Sequence, residues 1–128
     1  MPFIVHEGRA ILFVHIPKTG GSSIEDWMRR FGPLQLWSPS WAPAPMRCTP
    51  QHLRQSDLAQ MFAPGFFAAA FALVRNPFER IASEYRMRHM LGTAGGMPFP
   101  AFGPWLEGSL AAAAGDPFHL DNHLRPQW

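Results

Sequence analysis

At 128 residues, with 47% hydrophobic and 16% charged side chains, the chain fits one packed domain, 1–128, and is neither disordered nor fibrous. A formal net charge of +2 does not call for a broad nucleic-acid surface, so any anion recognition must be local. A single cysteine, Cys48, excludes an internal disulfide framework, and without a leader pattern or an apolar run near the roughly 20 residues a membrane span needs, the chain reads as soluble and cytoplasmic.

Residues 10–16 are a short apolar run with Ile11, Phe13 and Val14, closed by Pro17, the pattern of a strand buried on both faces. The strand leads into Lys18-Thr19-Gly20-Gly21. Ile24, Trp27, Met28 and Phe31 then recur at helical spacing, with Glu25, Asp26, Arg29 and Arg30 on the other face and Gly32-Pro33 as a stop. Residues 32–50, rich in Pro, Ser and Trp, read as an ordered but irregular connection. A short helix is predicted through Met61 and Phe62, capped by Ser56 or, in competition, by Thr49. Residues 66–74 are the second strand and end at Arg75. Asn76-Pro77-Phe78-Glu79 opens a helix to about Leu91, with Asn at the cap, Pro at the first helical position and Glu three residues after the cap. A Gly- and Pro-rich loop follows, then a short helix within 102–114 broken by Gly108 and Gly115, and an irregular polar end.

Two of these junctions carry chemistry. A strand, a loop with two glycines and a helix start aim backbone N–H groups and the helix's positive end at one anion. Thr19, Ser22 and Ser23 add hydroxyls, and Lys18, the chain's one lysine, adds a point charge. The lysine precedes both glycines, which disfavours an ATP or GTP loop, where lysine follows the last glycine. At the second junction a buried strand emerges into Arg75 and a capped helix bearing Ser83. Ligands of parallel sheets gather beyond the carboxyl ends of the strands, so Arg75 and the Lys18 loop can line one crevice. Two anion sites imply a doubly phosphorylated nucleotide. A magnesium-dependent NTPase would place an aspartate where Arg75 stands. Read alone, Arg75, Glu79 and Arg80 are equally a set of surface ion pairs.

His15-Ile16-Pro17-Lys18-Thr19-Gly20-Gly21-Ser22-Ser23 and the stretch from Phe71 to Tyr85 together resemble the two donor-binding motifs of the PAPS-dependent sulfotransferases. Asn122-His123-Leu124-Arg125-Pro126-Gln127 is similar to a later motif of the heparan and chondroitin branch, which includes small bacterial members. The resemblance implies a three-layer, P-loop-like α/β fold with a mostly parallel central sheet. It also implies an enzyme that moves a sulfuryl group from 3′-phosphoadenosine 5′-phosphosulfate (PAPS) to a hydroxyl, on a carbohydrate or another small molecule, without a metal. By that resemblance Lys18, Thr19, Gly20, Gly21, Ser22 and Ser23 hold the 5′-phosphosulfate, Arg75 and Ser83 hold the 3′-phosphate, and Lys18 also assists the leaving phosphate.

His52 is the expected base, because it lies between the two motifs, where relatives carry a catalytic histidine, and because its ordinary pKa suits the task. Glu25, Glu79 and Glu84 are substitutes for it. His15 is expected to pack at the strand end, and His89 on a helix surface. His123, Arg125 and Gln127 either close the site or form a polar tail. Trp27, Trp37, Trp41 and Trp105 offer rings for sugars but are equally core anchors. The chain stops soon after the last motif, where relatives continue, so a C-terminally truncated, inactive nucleotide-binding module is the first alternative. A P-loop kinase or NTPase is the second, and a structural or interaction domain that binds no nucleotide is the third.

Overall fold

The turn residues Glu7 and Gly8 take left-handed φ values of 50° and 72°, the conformation that a two-residue hairpin turn needs if its twist is to match that of its strands. They join β1 (Phe3–His6) to β2 (Arg9–Val14) as an antiparallel pair. The third strand, β3 (Phe67–Ala72), lies parallel to β2 on its other side. The computed structural model that shows this describes residues 1–38, 42, 44–93, 96 and 98–125. Trp41 and residues 126–128, with Gln127, lie outside the described residues.

The expected mostly parallel sheet is therefore corrected. Among the described residues it is a mixed three-stranded sheet, with one antiparallel and one parallel pair. The reason is the Glu7-Gly8 turn, which is too short for anything but an antiparallel return.

Residues of β2 alternate between two cores. Ala10 and Leu12 join Met1, Phe3 and Leu58 on one face. On the other face Phe13 packs with Ile4 and Met28. One face is thus covered by α1 (Gly21–Met28) and the other by α2 (Gln55–Met61). A register shift between Ala10 and Ile11 inserts an extra residue on β3, which reverses the alternation of its side chains between the two faces from that point on. Phe67 can thereby pack on the first core and Phe71 on the second.

The helices differ in detail from their sequence patterns. Helix α1 stops at Met28, short of Gly32, and buries Gly21, Glu25 and Met28, a face shifted from the one the apolar residues mark. Trp27 and Phe31 are exposed and pack on each other with ring centroids 5.0 Å apart. Helix α2 starts at Gln55 with Arg54 at the cap position, so Ser56 is not its cap. Instead Asp57 accepts a hydrogen bond from the Arg54 amide at 2.7 Å. Helix α3 (Pro77–Thr93) begins as expected, with the Asn76 side chain accepting from the Phe78 amide at 2.9 Å. The last helix, α4 (Phe102–Gly115), runs unbroken through Gly108.

Phe13 is fully buried at the centre of the α1-side core. Phe13→Ala is therefore expected to remove about 3–5 kcal/mol of stability. The measurement is urea unfolding, where the midpoint should fall at nearly unchanged slope; a midpoint like that of the native chain would contradict the packing.

Candidate functional site

Strands β2 and β3 are parallel, so both deliver the chain to the same end of the sheet. A cavity of about 530 Å³ opens there, within the usual range for a small-molecule site. Lys18, Gly20, Gly21, Ser22 and Ser23 form its wall from the loop and the start of α1. Arg75 and Ser83 contribute from the chain after β3, and His52 from the turn Pro50–His52. The two junctions singled out in the sequence thus meet, and the Arg75 guanidinium donates to the Lys18 carbonyl at 3.4 Å.

Lys18 itself sits at a left-handed φ of 67°. Its ammonium donates to the Met87 thioether at 3.1 Å, and burial holds its pKa below the ordinary lysine value. A half-buried cation against so weak an acceptor gains strongly from a nearby anion. The Thr19 hydroxyl points elsewhere and closes the turn by donating to the Ile16 carbonyl at 2.8 Å. Gly20 takes the position before α1 at φ 94°, which glycine adopts without penalty. Gly21 is needed for a different reason: a Cβ there would lie 2.0 Å from Nε2 of His15.

Beneath the loop lies a cluster that the sequence does not announce. The His52 ring makes edge contacts with His15 at 4.9 Å and with His123 at 4.7 Å between centroids. Each imidazole shares its Nδ1 with a carboxylate: His15 with Glu25 at 2.6 Å, His52 with Asp121 at 2.7 Å and His123 with Glu84 at 2.6 Å. Glu25 also accepts from the Trp37 indole at 2.9 Å, and Glu84 from Arg88 at 2.7 Å. Burial opposes ionisation of all three carboxyls. The hydrogen bonds overcome it and hold Glu25 and Glu84 below the ordinary value and Asp121 down to about 2. Burial pushes His52 down to about 4 against the pull of Asp121. Atoms of His52, Asp121 and His123 lie within 4.8 Å of one another. The Nδ1 atoms of His52 and His123 are each bonded to a carboxylate, Asp121 and Glu84 respectively.

His15 packs at the strand end as expected, stacked on Phe13 with ring centroids 5.4 Å apart, and is in addition the partner of Glu25. Of the substitute bases, Glu25 and Glu84 back other histidines, and Glu79 is exposed and pairs with Arg75 at 3.2 Å. Arg80 belongs to no surface pair: it is buried and donates to the carbonyls of His123 at 2.7 Å and Arg125 at 2.6 Å. His89 is exposed, as expected. Of the tryptophans, Trp37 lines the cavity, Trp105 is buried and Trp27 is exposed. Asp121 is not marked by the sequence, because a lone aspartate in a polar segment carries no local signal. The juxtaposed Asp121-Asn122-His123, carboxylate next to imidazole, is the clue that could have found it.

Compared with known proteins, residues 1–127 match the model of a family described as the sulfotransferase family. The chain belongs to the sulfotransferase family. No curated protein and no solved structure matches it. As a sulfotransferase-family member the chain is a transferase of sulfuryl groups, and membership displaces the kinase and NTPase alternative. No described helix is long and apolar enough to cross a membrane.

A buried imidazole that loses basicity on folding makes stability depend on pH. His52 titrates at about 4 instead of 6.5, so between those values the unfolded chain binds the extra proton and acidification destabilises the fold. Asp121 acts only lower, losing its contribution as pH falls from 3.8 through about 2. The Met1 amine, pushed down to about 4 by burial, works in the same direction as His52, so the histidine's share is read by difference. Between pH 6.5 and 4.5 the native chain should lose stability faster than His52→Gln, by up to roughly 1.4 kcal/mol per pH unit. Urea titrations at a series of pH values measure this, and parallel slopes would refute it.

Proposed function

We propose that the chain transfers the sulfuryl group of PAPS to an acceptor hydroxyl, with Lys18 and His52 in the chemistry. The observation that carries this reading is the shared cavity: the lysine loop, Arg75, Ser83 and His52 line one space at the carboxyl ends of two parallel strands, in a chain of the sulfotransferase family. The strand, loop and helix start at residues 9–28 are the P-loop-like part of this proposal. Two cations beside the helix start suit a ligand with phosphate at both ends. In this reading the amides of Gly20, Gly21 and Ser22 and the Ser22 and Ser23 hydroxyls take the 5′-phosphosulfate. Thr19 contributes through its backbone, and Arg75 with Ser83 takes the 3′-phosphate.

The bond from sulfur to the bridging oxygen breaks as the bond from sulfur to the acceptor oxygen forms. Charge gathers on the bridging oxygen, where Lys18 stabilises it more in the transition state than in the ground state. The acceptor's proton passes to His52, and adenosine 3′,5′-bisphosphate leaves.

The resemblance supports a carbohydrate acceptor of the kind sulfated by the heparan and chondroitin branch. An apolar alcohol or phenol is a second reading, favoured by a neighbouring cavity of about 920 Å³ that shares His15, Pro17 and His52 with the first. Its wall is largely apolar, with Leu12, Val14, Leu58, Phe62 and Phe67. Labelled-sulfate transfer from PAPS across glycans, alkyl alcohols and phenols separates the two.

Calorimetry with adenosine 3′,5′-bisphosphate tests the donor site directly. The native chain should bind it and turn over PAPS, Lys18→Ala should lose at least about 100-fold in turnover with little change in unfolding midpoint, and His52→Ala should keep nucleotide binding while losing turnover. Binding without any turnover in the native chain would instead mark an inactive nucleotide-binding module, and no binding at all a structural domain.

A further inference from the structure

We propose that Asp121 is the positioning residue of His52, fixing the imidazole tautomer that can accept the acceptor's proton. The inference rests on the reading of His52 as base and adds a residue from the far end of the chain. Asp121 divides its two oxygens. Oδ1 accepts the Thr49 amide at 2.7 Å, while Oδ2 accepts the Thr49 hydroxyl at 2.8 Å and faces Nδ1 of His52 at 2.7 Å. An ionised carboxylate only accepts, so the proton of neutral His52 must sit on Nδ1. Nε2 is left with its lone pair, on a ring that forms wall in both cavities.

The carboxylate is held so that it cannot swing away. Leu120, Asp121 and Asn122 all take left-handed φ, at 52°, 59° and 65°, a conformation that non-glycine residues keep only when their surroundings over-determine it. Those surroundings are three sets of hydrogen bonds. Arg88 donates to the Leu120 carbonyl at 3.3 Å, Asn122 donates to the His52 carbonyl at 2.9 Å, and Arg80 grips the carbonyls of His123 and Arg125. Oδ2 thus serves the Thr49 hydroxyl and the imidazole together.

In the transfer step the hydroxyl proton moves to Nε2, giving an imidazolium with protons on both nitrogens. Asp121 stabilises that cation and returns the same tautomer when Nε2 releases its proton to water. His15 and His123 flank the ring with their own carboxylates, Glu25 and Glu84, so the charge that forms on His52 is faced by two imidazoles and backed at Nδ1 by the Asp121 carboxylate at 2.7 Å, with the Thr49 hydroxyl at 3.0 Å beside it.

Asp121→Asn keeps an oxygen for the Thr49 amide but places an N–H donor against Nδ1, which forces the proton onto Nε2. The expected result is a loss of at least about 100-fold in kcat, with adenosine 3′,5′-bisphosphate affinity within about twofold of native and acceptor KM little changed. In a His52→Ala background the same substitution should cost nothing further in turnover. Long-range nitrogen–proton NMR should show His52 protonated on Nδ1 in the native chain and on Nε2 in Asp121→Asn. Turnover of Asp121→Asn close to native, or an equal further loss in the His52→Ala background, would overturn the proposal. So would a native His52 protonated on Nε2, a measurement that needs no variant to fold. Were the native chain to transfer no sulfate, the proposed function would fail, while the tautomer spectra would still decide whether Asp121 positions His52.

Discussion

Three imidazoles packed edge to edge cannot be buried unless each Nδ1 proton finds an acceptor. A buried donor left without one costs about 1–3 kcal/mol. The chain meets that constraint with carboxylates from three separate places: Glu25 on α1, Glu84 on α3 and Asp121 in the segment 119–122. Each carboxylate is itself bonded a second time, to Trp37, Arg88 or Thr49. The cluster therefore joins the first helix, the third helix, the turn before α2 and the C-terminal segment at one point. Gly21 belongs to the same constraint, since His15 fills the space where a side chain would stand. One glycine of the loop is thus required by the imidazoles beneath it, whatever the loop binds above.

The same pairing organises the electrostatics of the cavity. Its wall contains acidic residues, Glu25 and Asp26, which would repel a phosphorylated ligand if left alone. Glu25 is saturated by His15 and Trp37, and Asp26 accepts from Arg29 at 2.5 Å. Lys18 faces a thioether, and burial holds its pKa below the ordinary lysine value. Acids already hydrogen-bonded behind and a partly desolvated ammonium in front give a local field that favours an anion, although the whole chain carries only +2.

Sequence patterns disclosed the parts of this arrangement that are local. The strand before Lys18, the glycines, Arg75 at the end of β3 and the Asn76 cap of α3 each follow from neighbouring residues, and they appear where their patterns place them. What sequence hid is what depends on distant partners. Glu25 reads as a solvent-facing helix residue, yet it is buried because His15 and Trp37 need its oxygens. The same pull rotates α1, leaving Trp27 exposed although periodicity assigns it to the core. Asp121 and His52 are 69 residues apart, beyond any spacing rule. The first strand is legible in Phe3-Ile4-Val5 followed by Glu7-Gly8, a hairpin signal that argues for an antiparallel pair where the family resemblance implies a mostly parallel sheet.

In-line transfer demands that the group stabilising the departing oxygen and the group taking the incoming proton stand on opposite sides of the sulfur. Lys18 and His52 line the same cavity from different elements, the first from the loop after β2, the second from the turn before α2. His52 is also part of the wall of the second cavity, with His15 and Pro17. A donor lodged on the lysine side would present its sulfuryl group toward this shared wall, and a hydroxyl arriving through the second cavity would meet it there. The imidazole then has to be basic on one nitrogen and held on the other. In the proposed reading that is the part played by the left-handed run at Leu120, Asp121 and Asn122, whose Asp121 bonds Nδ1 of His52.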